Sequence, residues 1–352
     1  MSVISTPITD LFKIQHPILL AGMNVAAGPE LAAAVTNAGG LGVIGGVGYT
    51  PKMLRSQIKT LKADLKDPNA PFGVDLLLPQ VGGNARKTNY DYTKGQLPDL
   101  IDVIIEEKAS LFVCAVGVPP KEAVDKLHSA GIPVMNMVGH PKHVPKALEV
   151  GVDLICAQGS EGGGHTGDIP TSLLIPACVD AVKGKKSPLT GGPVHVIAAG
   201  GIFDGRGLAS ALVSGAVGVW VGTRFVASEE ANAPKAHKQA VVTASLDDDI
   251  RTLIYTGRPL RVRKTPYIMD WEENRKEEMK QYLAQGVLPI DKDMEKHPER
   301  SLEARPWLLG KVSGLISEVL PAKKIIDDMV SEAASRLNSA NGLVVGGAKA
   351  RL

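Results

Sequence analysis

Residues 158–168 read QGSEGGGHTGD, a run that sets one imidazole, His165, directly behind three glycines. Histidine titrates near neutral pH, so it can take a proton, give one, or donate a hydrogen bond to an anion. A lone loop histidine is commonly just solvated. This one follows the apolar run VDLICA (152–157), in a loop nearly stripped of large side chains. Glycines there would let backbone pass close to a flat ligand and project one ring over it. His140 and His143 lie at a helix start, and His16 and His195 open strands, so they are weaker candidates.

Two further glycine motifs could hold an anion through backbone amides. AAGGIFDGRG (198–207) contains Ala199, Gly200 and Gly201, with Asp204 placed to cap a helix whose N-terminus favours an anion. VGTRF (221–225) offers Val221, Gly222 and Thr223. A third motif, AGMN (21–24), sets Ala21 and Gly22 before Met23, a soft side chain suited to a flat ring system or to a core. Asp75, inside GVDLLL (73–78), is a carboxylate in an apolar strand, costly unless paired or hydrogen-bonded. It could accept from a ligand N–H or from a neighbouring backbone amide. Asn136 (in VMNMV) and Gln158 are amides near strand ends that both donate and accept, in core or ligand contacts.

These residues need elements to position them. Short apolar runs alternate with helix-length amphipathic segments: HPILLAG (16–22), LGVIGG (41–46), PFGVDLLL (71–78), SLFVCAVG (110–117), IPVMNMVG (132–139), VDLICAQG (152–159), VHVIAAGG (194–201) and AVGVWVG (216–222). Strands apolar on both faces suit a parallel sheet covered by helices. Eight strand–helix units over about 245 residues predict an α/β fold, a (β/α)8 TIM barrel, with a doubly wound open sheet as the alternative. In such a barrel the functional residues sit at the C-terminal strand ends, and the loops after strands seven and eight commonly bind phosphate. Both anion motifs fall there.

The expected organisation is a barrel over 1–245, a charged, mostly helical insertion over 246–310, and a C-terminal helix and tail over 311–352, the helix spanning roughly 311–337. The insertion holds DDDIR, WEENRKEEMK and KDMEKHPER and lacks alternating strands.

Composition excludes several classes. The net charge of +2 and an aromatic content of 4% suggest no nucleic-acid partner, and the longest apolar region, 208–225, is too broken for a membrane span. The 3 cysteines, Cys114, Cys156 and Cys178, have no C-x-x-C spacing, and no H-E-x-x-H occurs, so no metal site is expected. The start lacks a signal core, which predicts a cytoplasmic protein. The terminal Ala350-Arg351-Leu352 loosely resembles a peroxisomal address, the alternative.

Taken together, HPILLAGMN, NAGGLGVIGG, GVDLLL, GVDLICAQGSEGGGHTG, IAAGGIFDGRGLASAL and VGTRFVAS resemble the nitronate monooxygenase family, formerly called 2-nitropropane dioxygenases. The likeness runs in order over roughly residues 10–230, and more loosely through WLLGKVSGLI (307–316). It implies an FMN-bound barrel in which Ala21, Gly22 and Met23 contact the flavin, with Gln158 and Gly163 or Gly164 near it. Ala199, Gly200, Gly201, Gly222 and Thr223 would hold the phosphate, and His165 would be the catalytic histidine. The implied reaction is oxidation of an alkyl nitronate, a small anion, by O2 to a carbonyl compound and nitrite. An NAD(P)H-dependent quinone or enoyl-thioester reductase on the same barrel is the alternative, and a non-catalytic flavin-binding protein the second.

The sequence departs from that family at two positions. Asp75 stands where many relatives have asparagine, and Asn136 where some have lysine. The loop QVGGNARKTNYDYTKGQ (80–96) could cover the flavin or simply be solvated. The basic segment TGRPLRVRKTPY (256–267) could reach over the site to hold an anion, with Arg258 and Tyr267 as candidates.

Overall fold

The computed structural model describes residues 4–344. Eight parallel strands form one sheet: β1 (Ile18–Leu20), β2 (Gly42–Gly45), β3 (Phe72–Leu77), β4 (Leu111–Ala115), β5 (Val134–Val138), β6 (Leu154–Gln158), β8 (His195–Ala199) and β9 (Gly218–Val221). A two-residue strand, β7 (Gly164–His165), lies in the loop after β6. Sheet order β1-β9-β8-β6-β5-β4-β3-β2 returns on itself, since the Leu20 amide donates to the Leu41 carbonyl and the Leu41 amide to that of Ile18, each over 2.9 Å. The sheet is therefore a (β/α)8 barrel, as the alternation predicts.

Helices α1 (Pro7–Phe12), α2 (Pro29–Asn37), α3 (Pro51–Asp64), α4 (Leu97–Glu106), α5 (Lys121–Ser129), α6 (Val144–Glu149), α7 (Thr171–Val182) and α8 (Gly205–Val213) account for the lower end and most of the outer layer. Proline opens α1, α2 and α3, where its missing N–H costs nothing. Side chains alternate as a pleated strand requires. Leu19, Val43, Val113, Met135, Cys156 and Ile197 fill the barrel, while Leu20, Ile44, Val74, Cys114, Ile155 and Ala198 pack outward on the helices. Ile8, Phe12 and Ile14 join the interior cluster below the strands. The three cysteines are buried and free.

Past β9, two helices, α9 (Thr223–Val226) and α10 (Lys235–Val242), lead into residues 246–310. The segment read as mostly helical and lacking alternating strands also carries a short hairpin. An antiparallel hairpin, β10 (Asp249–Thr252) and β11 (Leu260–Arg263), precedes α11 (Pro266–Glu273), α12 (Lys276–Gln285) and α13 (Pro289–Lys296). The hairpin forms because β11 also pairs with β7, so its polar edge finds partners. The final helix, α14 (Ala322–Asn341), starts later than the periodicity suggested. Pro321 sits at its N-cap and residues 311–315 form a separate 3-10 turn. Ile325, Ile326, Met329 and Val330 bury its inner face in the same outer core that contains Leu208 of α8 and Leu31 of α2. No helix of the described residues is long and apolar enough to cross a membrane. The terminal Ala-Arg-Leu lies outside the described residues.

Candidate active site

The C-terminal mouth of the barrel is lined by small residues. Ala21 and Gly22 follow β1, Gly200 and Gly201 follow Ala199 at the end of β8, and Gly222 and Thr223 follow β9. Gly200 and Gly201 have φ of +86° and +74°, a left-handed backbone that a side chain rarely adopts. Among the described residues, the amides of Gly200, Gly201, Gly222 and Thr223 donate to no protein acceptor. The Thr223 hydroxyl accepts from the Gly310 amide over 2.9 Å, which ties the segment before α14 to the mouth. A Cβ built at Gly222 would lie 3.4 Å from Ala21 Cβ and 3.5 Å from Met23 Sδ, so these three residues share one side of the opening.

Asp204 caps α8 as its position suggests, its Oδ1 accepting from the Gly207 amide over 2.9 Å. The further expectation, an external anion at that helix end, is corrected. Glu332 from α14 reaches across, and its Oε2 accepts from the Gly205 amide over 3.0 Å. The protein's own carboxylates already complement the helix dipole.

Three polar strand residues divide by direction. Asp75 points into the barrel from β3 and is 2% exposed. No hydrogen bond reaches either carboxylate oxygen among the described residues, and Oδ1 is wholly buried. Burial alone pushes its carboxyl up to about 8. The carboxyl lies against Gly22, where any Cβ would collide with Oδ2. Asn136 is not brought to the mouth. On β5, Met135 and Met137 take the interior face, so Asn136 points outward and donates from Nδ2 to the carbonyls of Cys114 (2.9 Å) and Gly117 (2.7 Å). Val221 also turns outward, offering only its carbonyl, which accepts from the Ala21 amide. Gln158 reaches the mouth, and its Nε2 donates to the His165 carbonyl over 2.7 Å.

His165 is held by residues far along the chain. β7 pairs antiparallel with β11, Leu260 opposite His165. Arg261 donates to the Ser160 carbonyl through Nε and Nη2 (3.1 and 2.8 Å) and pairs with Asp249. Arg251 donates to the Gly167 carbonyl over 2.7 Å and pairs with Asp168. Both arginines clamp the ends of the glycine loop. Gly162 and Gly163 stand where other parts of the chain approach closely. A Cβ at Gly163 would sit 2.7 Å from the Leu309 carbonyl carbon, and one at Gly162 would sit 2.8 Å from Gln158 Nε2.

The His165 ring shares a hydrogen bond between Nε2 and Thr256 Oγ1 over 2.9 Å. Burial, helped by the positive charges of Arg258 and Arg86, lowers its pKa to about 4, so the imidazole is neutral at physiological pH. Arg258 Nε donates to Asn89 Oδ1 (3.1 Å) and Nη1 to the Val116 carbonyl (3.2 Å). Arg86 Nη1 donates to the Gly257 carbonyl over 2.7 Å. No carboxylate pairs with either arginine among the described residues. The loop 80–96 therefore docks on the turn between β10 and β11 rather than standing in solvent. Tyr92 in that loop packs on Tyr90, and burial pushes its phenol up to about 12. Tyr267 is elsewhere: it is buried with Trp271 in a satellite core and donates to Asp293 Oδ2 over 2.8 Å. Thr256 and Arg86 are site residues that sequence reasoning left unnamed; the basic character of both segments was their only signal.

The sequence profile described as nitronate monooxygenase matches residues 5–332. A Rhodococcus jostii protein, (3aS,4S,5R,7aS)-5-hydroxy-7a-methyl-1-oxo-octahydro-1H-indene-4-carboxyl-CoA dehydrogenase, is 32% identical over 97% of this chain and 99% of its own. A probable nitronate monooxygenase of Staphylococcus saprophyticus is 32% identical over 77% of this chain and 81% of its own. Among solved structures, FabK from Thermotoga maritima superposes with a TM-score of 0.76 at 34% identity, covering 97% of this chain and all of that one.

Proposed function

The chain belongs to the nitronate monooxygenase family, a family of oxidoreductases, and from the site we propose that it oxidises an alkyl nitronate with O2 to a carbonyl compound and nitrite, using FMN. The observation that carries this reading is the charge arrangement around His165. The imidazole is neutral, while Arg86 and Arg258 stand beside it without carboxylate partners among the described residues. Such a mouth attracts a small anion.

The residues present fit a flavin. The unpartnered amides of Gly200, Gly201, Gly222 and Thr223 would hold a phosphate. Ala21, Gly22, Met23 and Ala199 leave a flat, side-chain-poor wall for the ring, and Asp75 keeps a buried carboxyl without a protein partner beside it. When bound, the flavin supplies the electron transfer between substrate and O2.

The protein's own part is positioning and charge. A nitronate arrives already deprotonated, so its binding calls for cations rather than a strong base. Arg258 and Arg86 meet the anion's charge. His165, tied to Thr256 and pinned by Gln158, offers one hydrogen bond without adding charge.

A second reading draws on the relatives. FabK and the dehydrogenase cover nearly the whole chain at similar identity, which supports a pyridine-nucleotide-dependent reductase acting on an enoyl or related thioester. Purified protein reconstituted with FMN should consume O2 and release nitrite with propyl-2-nitronate. NADH oxidation with an enoyl thioester and no nitronate turnover would overturn the first reading in favour of the second. A preparation that neither shows flavin absorption nor takes up FMN would defeat both.

A further inference from the structure

Among the described residues, Asp75 is the one carboxyl in the barrel interior, and no partner among them accounts for it. It sits mid-strand on β3, paired in register with Gly45 of β2 and Val113 of β4. Its carboxyl rests against Gly22, in the turn that follows β1. Structural carboxylates in this chain look different. Asp153, equally buried, accepts from the Val134 amide, Ser187 Oγ and His128 Nε2. Asp293 accepts from Tyr267 and Arg275. Asp75 accepts from no described residue. A buried carboxylate with no donor is costly, whereas a buried carboxylic acid keeps an O–H that needs an acceptor.

The surroundings leave that acid neutral. The titratable groups within electrostatic reach are the thiols of Cys114 on β4 and Cys156 on β6, each pushed up by burial first and by Asp75 second. β2 and the turn after β1 present glycines, and no charged side chain contributes. Nothing on the neighbouring elements would hold Asp75 ionised.

Resting on the flavin reading above, we infer that Asp75 receives the cofactor as a neutral carboxylic acid, its O–H donating to an acceptor atom on the ring, so that FMN binding and retention of that proton are coupled. An asparagine would offer a similar donor without a proton to lose. The aspartate therefore makes cofactor retention sensitive to alkali in a way the amide would not.

The test is FMN affinity, followed by quenching of flavin fluorescence as flavin-stripped protein is added, from pH 6.5 to 9.5. The unmodified chain should hold a constant Kd until pH nears 8 and then weaken toward tenfold per pH unit. Asp75→Asn should bind comparably at pH 7 and stay flat to pH 9. Equal, flat profiles in both proteins would overturn the proposal while leaving the flavin reading intact. Absence of FMN binding by the unmodified chain at any pH would overturn the flavin reading, and this proposal with it. Should Asp75→Asn fail to fold, infrared spectra of the FMN-loaded unmodified protein decide. A protonated-carboxyl C=O band at pH 8.5 that moves on 13C-aspartate labelling supports the proposal, and its absence refutes it.

Discussion

Gln158 grips His165 by the backbone, not by the ring: its side-chain amide donates to the His165 carbonyl over 2.7 Å, leaving the imidazole to Thr256. The strand end thus sets the height of the histidine, and the hairpin sets its direction. Gln158 is on this geometry a positioning residue.

Replacing Gln158 by leucine leaves that part-buried carbonyl without its donor, a loss of about 1 kcal/mol. The turnover number with nitronate should fall roughly 10- to 100-fold, as expected for a misplaced reacting group. FMN affinity should change little, and amide exchange in 160–168 should quicken. Unchanged exchange together with unchanged turnover would show that the grip is dispensable.

Arg86→Gln and Arg258→Gln should each raise KM for a nitronate about tenfold or more while changing kcat less, because they remove attraction for the anion rather than the reacting group. The dependence of kcat/KM on salt should flatten in both variants. A drop confined to kcat, with the salt slope intact, would place the arginines in the fold rather than at the substrate.

His165 should titrate by NMR near pH 4 rather than 6.5. Nearby positive charge disfavours the imidazolium, so Arg258→Gln should move the titration upward, toward but not to 6.5, since burial remains. The sign for stability follows. Between about pH 6.5 and 4 the unfolded chain binds the proton that folded His165 refuses, so acidification through that window costs stability, by an amount of order 3 kcal/mol. A titration near 6.5 in the unmodified protein would remove the neutral-imidazole basis of the proposed function.

The barrel was legible because its period is strong: eight apolar runs, each followed by a helix. The glycine turn after β8 was legible because glycine at Gly200 and Gly201 answers a backbone need. Side-chain direction was not. A strand apolar on both faces conceals which face is interior, so Asn136 and Asp75 looked alike in the sequence and point opposite ways in the fold. The hairpin was hidden for another reason. DIRT and LRVR carry more charge than a buried strand usually does, and two of their arginines, Arg251 and Arg261, make sense only against the loop at 159–168. Gly163 was read as space for a ring, and only the path of Leu309–Gly310 reveals what fills that space.

The bond between His165 and Thr256 spans 91 residues. Synthesis runs from the N-terminus, so the glycine loop leaves the ribosome long before the strand that pins it. Until then the nascent barrel has its strands but not its fixed imidazole or the Arg258 charge. The contact that orients His165 therefore forms late, after the hairpin emerges, and α14, which packs on α8 and α2, comes later still. A chain released before the hairpin would have the barrel strands without the partner that fixes the imidazole.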